Sequence, residues 1–231
     1  MRKLLLFVLL FAAVGSYAQN LQVHYDMGKD RGYMTSTMEM FKPDKMGNTF
    51  FFIDMDYGSN DAKGVSLAYW EIARVFKTEK MPLGIHVEYN GGFGNDNKGG
   101  TNFAYRINDS WLAGLDYSLN AKDFSKGITF KGLFKHIRDK HDASFQLTSV
   151  WYVNFLKNKM TFSGFADFWK EDKDFDFDGV ADTEFTFLCE PQLWYHICDH
   201  MSVGGEVEFA NNFGDTKGFQ VNPTLGLKWT F

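Results

Sequence analysis

Carboxylates and aromatic rings recur together in this chain at a spacing of two. Phe50, Phe52, Asp54 and Asp56 form one such series, in NTFFFIDMDY. Tyr69 with Glu71, His86 with Glu88, Phe165 with Asp167 and Trp169, Glu190 with Trp194, and Glu206 with Glu208 repeat the theme. Residues two apart lie on one face of a strand, so each series reads as part of a polar wall. A carboxylate accepts hydrogen bonds from hydroxyls and amines and attracts cations. A flat ring offers a stacking surface, and for a nucleobase such a contact is worth about 1–3 kcal/mol. Tyr152 and Lys228 fall on the same polar phase of their own segments.

A second constellation lies in EDKDFDFDGVAD, at 171–182. Asp174, Asp176, Asp178 and Gly179 fit the D-x-D-x-D-G opening of a calcium loop, with Asp182 as a possible later ligand. The glutamate expected at the twelfth position would fall at Phe185, and Glu184 is one residue short. The site is therefore at most a variant calcium loop, and an acidic loop without an ion reads the same way. No cofactor is otherwise implied. Asp54 and Asp56 with His86 or His24 could be imagined as a hydrolytic set, and Ser149 as a nucleophile, but no histidine companion is placed for a lipase. The chain is read as non-enzymatic.

The elements that must carry these residues are strands. The last stretch, FQVNPTLGLKWTF, alternates: Phe219, Val221, Leu225, Leu227, Trp229 and Phe231 on one face, Gln220, Asn222, Thr224, Lys228 and Thr230 on the other. Twelve such segments are expected, at about 20–28, 33–42, 48–57, 65–76, 82–91, 110–119, 125–137, 142–155, 158–170, 182–196, 201–211 and 218–231. Each has the length of a tilted membrane strand. TNFAYRIN at 101–108 could be a strand as well. Counting it would give thirteen and put the termini on opposite sides, so it is assigned to a long loop, 92–109. With both termini periplasmic, the connections are short on that side and the longer ones face outward. Aromatic residues are 18% of the chain, with 25 Phe, yet mean hydropathy is −0.29. Alternation produces that combination.

Residues 1–18 carry Arg2 and Lys3, an apolar run from Leu4 to Val14, and small residues before a cut. This is a cleavable signal peptide, followed by one barrel at 19–231. The expected fold is all-β: a 12-stranded antiparallel transmembrane β-barrel of the outer-membrane type. The formal charge of −5 falls to −7 once the two leader cations are removed, which argues against nucleic acid as a partner. Cys189 and Cys198 are nine residues apart. On one extended segment that is about 30 Å, against the about 7 Å a disulfide tolerates, so two free thiols are expected.

The polar phase of every segment, taken together, gives the interior. Asp26, Glu39, Asp54, Asp56, Glu71, Glu88, Asp116, Asp167, Glu190, Glu206 and Glu208 stand there against Lys131, Lys135 and Lys228. Such a wall rejects anions and favours neutral polar solutes and cations. The rings among them either line a solute path or fill a plugged interior.

The stretches FFFIDMDYG with SLAYWEI, HVEYNGG, LTSVWYVNF followed by FSGFADFW, LCEPQLWYHI, and GEVEFANNF with PTLGLKWTF carry a resemblance. The chain resembles the Tsx-like nucleoside-specific channel family of outer-membrane barrels, and is most similar to its small uncharacterised relatives. The resemblance implies a narrow nucleoside path lined by aromatic and ionisable residues. The expected function is passive diffusion of small neutral solutes, nucleosides first, with a structural or surface-interaction barrel as the alternative. Expected partners are outer-membrane lipid, lipopolysaccharide and, through the terminal aromatic Phe231, the barrel assembly machinery.

Overall fold

The computed structural model describes residues 18–59, 62–78, 80–98, 100–140 and 143–231. The leader expected at 1–18 lies outside the described residues but for Ala18, which already opens the first strand. Thirteen strands follow one another: β1 (Ala18–Asp26), β2 (Met34–Asp44), β3 (Gly47–Tyr57), β4 (Val65–Phe76), β5 (Gly84–Lys98), β6 (Thr101–Asn120), β7 (Lys126–Ile137), β8 (Ser144–Phe155), β9 (Met160–Lys173), β10 (Asp182–Cys189), β11 (Gln192–His196), β12 (Met201–Asn211) and β13 (Phe219–Thr230).

β10 and β11 are one strand of the ring. On β9, Cys189 faces Ala166 and Gln192 faces Ser163; on β12 the same two face Phe209 and Glu206. The register does not slip across the gap. Pro191 simply has no N–H for the ladder. Its carbonyl still accepts from the Val207 amide at 3.0 Å, and the Glu190 amide donates to the Phe165 carbonyl at 3.0 Å. The sheet is thus a closed, antiparallel, 12-stranded barrel. It shuts where β13 meets β1, from Asn20 opposite Thr230 to Asp26 opposite Thr224. Closure leaves no free edge around the ring.

Alternation sorts the side chains. On β1, Gln22, His24 and Asp26 are 1, 1 and 2% exposed, whereas Leu21, Val23 and Tyr25 are 38, 39 and 48% exposed. The same division recurs on β13, where Leu225, Leu227 and Trp229 are exposed while Asn222 is buried. A continuous outer belt of exposed Leu, Ile, Val, Phe and Trp around a polar interior is the inverse of a water-soluble domain. Lipid is the solvent that makes such a surface stable. Among the described residues no helix is long and apolar enough to cross a membrane.

The start of β1, the end of β13 and the connections β2–β3, β4–β5, β6–β7, β8–β9 and β11–β12 share one end. The β2–β3 turn has only two residues between the paired Asp44 and Gly47. Gly47 has φ +131°, and a Cβ there would lie 1.9 Å from the Val75 carbonyl oxygen, so only glycine fits. The expected 92–109 loop is corrected. β5 runs on to Lys98 and β6 begins at Thr101, pairing from Gly92 opposite Ile107 to Lys98 opposite Thr101. TNFAYRIN is therefore strand, but as the first part of β6, so it adds no thirteenth position. β4 reaches only Gly94 and β7 only Ser110, so beyond them the hairpin stands alone as a ribbon above the barrel.

Candidate functional site

The interior is built by the inward phase of every strand, and it divides into two packed walls and an ion-paired rim. On the first wall, β11, β13 and β1 bring together Trp194, Lys228 and His24. Trp194 is 1% exposed, with the Lys228 ammonium 4.2 Å from its ring centre and the His24 ring edge-on at 5.5 Å. Trp194 Nε1 donates to Gln192 Oε1, whose own amide nitrogen donates to Glu206 Oε2, both at 2.9 Å. His24 is held between Thr224 and Gln22, and Gln22 reaches Asn20, which donates to Glu39. Each polar group buried here has found a partner, as burial demands.

The second wall mirrors this chemistry across β7, β8 and β9. The Lys135 ammonium lies 4.3 Å from the Trp169 ring centre and donates to Gln146 Oε1 at 2.7 Å. Gln146 donates to Thr148, whose hydroxyl donates to Asp167. Trp169 Nε1 donates to Glu171, which also pairs with Lys173. Trp169 packs with Leu188, Ala210, Phe165 and Phe213 in a small apolar core. Beside it, β4 and β5 contribute Tyr69, whose hydroxyl donates to Glu71 at 2.8 Å, Asn90, which donates to Glu71 at 3.2 Å, and His86, 2.9 Å from Glu88. His86 Nδ1 and Asn90 Oδ1 are buried without a protein partner. Lys131, opposite Asp116 in the ladder, lies within reach of the charges of Glu71, Glu88 and Asp167.

The rim at the β1–β2 loop carries an inward-turned residue that alternation could not reveal. Arg31, in the β1–β2 loop, turns inward. It donates to Asp26 Oδ2 and Glu208 Oε1, each at 2.9 Å. Asp26 also accepts the Gly28 amide, and Glu208 accepts from Asn222. Burial alone would disfavour the guanidinium charge, but Glu208 and Asp26 outweigh it and its pKa is raised. The only sequence signal was a cation in a loop flanked by acids. Towards the termini the filling thins. Phe50, Phe52 and Tyr69 form a ladder of rings, 6.1 and 5.9 Å between successive centres, and Val150 on the inward phase of β8 is 38% exposed.

The residues expected on the polar phase are thus placed as follows. Phe50, Phe52, Asp54 and Asp56 from β3 and Tyr69 and Glu71 from β4 share one flank with His86 and Glu88 from β5. Phe165, Asp167 and Trp169 of β9 face β8, where Tyr152 is bonded to Asn120 near the terminal end. Glu190, Trp194, Glu206, Glu208 and Lys228 occupy the closing flank. Acids meet across the interior: Glu190 and Glu206 both sense the charge of Asp54, and Glu71 that of Asp167. Trp169 and Trp194 face inward but are covered by lysines, so neither ring is open to a passing solute.

In the acidic loop, Asp174, Asp176 and Asp178 can each place a carboxylate oxygen within 4.8 Å of the others. Asp174 already accepts the amides of Asp178 and Gly179, and Asp178 that of Val180. Asp182 does not join them, because it begins β10 opposite Lys173. Cys189 and Cys198 are both free thiols.

No curated protein matches the chain in sequence. Among solved structures, the barrel is similar to the NanC porin, with a TM-score of 0.59, 8% identity and coverage of 93% of this chain and 100% of that one. It is also similar to a structure described as "KdgM porin in complex with disordered oligogalacturonate", with a TM-score of 0.53, 10% identity and coverage of 92% and 99%. These likenesses establish the outer-membrane porin fold. Residues 18–231 match the model of the family described as "Domain of unknown function (DUF5020)", and the chain belongs to that family.

Proposed function

We propose that the barrel is an integral outer-membrane channel for passive diffusion of small neutral or cationic solutes, nucleosides first among them. The observation that carries this reading is the interior charge pattern. Carboxylates of Asp54, Glu190 and Glu206 meet across the lumen, while the lysines on both walls are folded onto tryptophan rings. An interior crowded with carboxyl groups, with its lysines held on ring faces, offers an anion little to bind and a hydroxyl-bearing solute or a cation many acceptors. The oligogalacturonate bound in the KdgM complex is a polyanion, and this interior suits such a solute poorly. The ring ladder Phe50–Phe52–Tyr69, each ring tilted 53° to the next, offers successive ring faces against which a base or sugar face can pack. Loop 171–182 and the outer belt face lipid and lipopolysaccharide, and Phe231 serves the assembly machinery; the Phe231 amide is bonded to the Gln19 carbonyl at 3.1 Å.

The burial of Gln22, His24, His86 and Trp194 favours a second reading, a filled structural barrel. Planar-bilayer recording separates the two. The channel reading expects small, cation-selective currents that nucleosides reduce. Absence of current at every voltage leaves the structural barrel, and anion selectivity overturns the charge argument.

A further inference from the structure

The outer wall carries a cleft of about 540 Å³ between β4, β5 and β6, where the hairpin rises out of the apolar belt. Its lining includes Trp70, Tyr89, Phe93, Arg106 and Asp109. The register between β5 and β6 shifts at Asn90–Gly92, and beyond the shift Arg106 lies opposite Phe93, on the outer face. Below, Tyr89 and Trp111 pack at 4.8 Å between ring centres and Trp70 and Phe93 at 6.0 Å, with Phe93 53% and Trp111 58% exposed. Above, Arg138 pairs with Asp109 at 2.6 Å, and Asp109 also accepts from the Tyr89 hydroxyl at 3.0 Å. Among the described residues no ion pair involves Arg106. Arg106 thus lines the cleft together with Asp109, which Arg138 pairs, over an aromatic floor.

We propose that this cleft binds the phosphate of an anionic membrane lipid, with the acyl chains lying down the aromatic floor. Guanidinium forks match phosphate oxygens, and aromatic rings concentrate where headgroups meet hydrocarbon. A free phosphate ion would gain nothing from the rings, so the charge and the floor together select a lipid. The inference rests on the membrane placement of the barrel and not on transport.

The test uses the full mature chain in detergent micelles, titrated with a diphosphorylated glucosamine-disaccharide lipid and followed by native mass spectrometry. The wild type retains one lipid. Arg106→Ala/Arg138→Ala weakens retention about tenfold or more, as the loss of two cations near anionic lipid requires. Ala104→Trp fills the cleft, keeps both charges and also weakens retention. The phosphate-free lipid and inorganic phosphate fail to compete. Equal retention by both variants, or equal binding of the phosphate-free lipid, overturns the proposal. Bilayer currents are the same in all three proteins, so a failure here and a failure of the channel reading are told apart.

Discussion

Arg31→Ala tests the ion-paired rim. The arginine pairs with Asp26 and Glu208, whose side chains are 3 and 13% exposed, while its own is 25% exposed. Its removal leaves two buried carboxylates facing each other, with Asp56 within charge range of both. Stripping one partner from a buried ion pair costs about 3–5 kcal/mol, and the partial exposure of Arg31 sets the expected loss near the lower figure. A loss of about 3 kcal/mol is about two decades in the folded-to-unfolded ratio. It is read from urea unfolding in micelles by tryptophan fluorescence. The same variant removes the cation that spans β1 and β12, so bilayer conductance and the cation-to-anion permeability ratio both rise. Arg31→Lys restores charge without the fork that reaches two acids, and should recover selectivity more fully than stability. Unfolding within about 0.5 kcal/mol of wild type, the range of ordinary surface substitutions, together with unchanged selectivity, would refute the assignment of Arg31 as the residue that ties β1 to β12 at the rim.

The remaining expectations concern rings, turns and the C-terminus. Trp169→Ala, in the buried cluster with Leu188 and Ala210, should cost about 3–5 kcal/mol in unfolding, whereas Phe52→Ala should act chiefly on solute. In bilayers the Phe52 variant should weaken nucleoside block by about fivefold or more, the lower end of one lost base–ring stack; unchanged block sinks the ring-ladder path. Gly47→Ala forces a Cβ into the Val75 carbonyl at positive φ, so the heat-modifiable folded band on gels should shrink; an unaffected band contradicts the turn geometry. Deleting Phe231 should lower the yield of assembled barrel in outer membranes while leaving the currents of the assembled fraction unchanged. Equal yields would leave the terminal ring without a role in assembly.

Alternation was legible because the barrel has two solvents and one period. On β1 and β13, lipid and interior select opposite residue types at every step, so the phase of Lys228 against Leu227 could be read directly. The hairpin of β5 and β6 was not legible, and the reason is physical. Past Gly94 the ribbon has left the belt: Asn95, Asp96, Asn97 and Lys98 carry no apolar phase on β5, and Phe103 and Tyr105 on β6 are exposed, so the apolar residues there mark no lipid face. Its glycines look like loop residues but answer to packing: a Cβ on Gly94 would lie 2.1 Å from the Tyr105 ring. Arg31 escaped because its function depends on a loop folding back between β1 and β12, far apart in sequence. The inward phase of Trp169 and Trp194 was readable, but their covering by Lys135 and Lys228 was not. Phase gives the direction of a side chain and says nothing of what crosses over it.

That covering also decides how the interior looks to a solute. A lysine above an indole ring is held by the negative face of the ring, and Lys135 adds a hydrogen bond to Gln146. Lys228 sits the same way on Trp194, and Arg31 is spent on two acids at the mouth. Lys131 stands among Glu71, Glu88 and Asp167. Each interior cation therefore already has an aromatic or anionic neighbour, and the acids outnumber them. On the proposed channel reading, a polyanion would meet carboxyl groups and, among the described interior residues, lysines and an arginine that already have such neighbours. A neutral solute with hydroxyls and a flat face meets acceptors on one side and rings on the other, the two contacts that Phe52, Tyr69 and Glu71 place side by side.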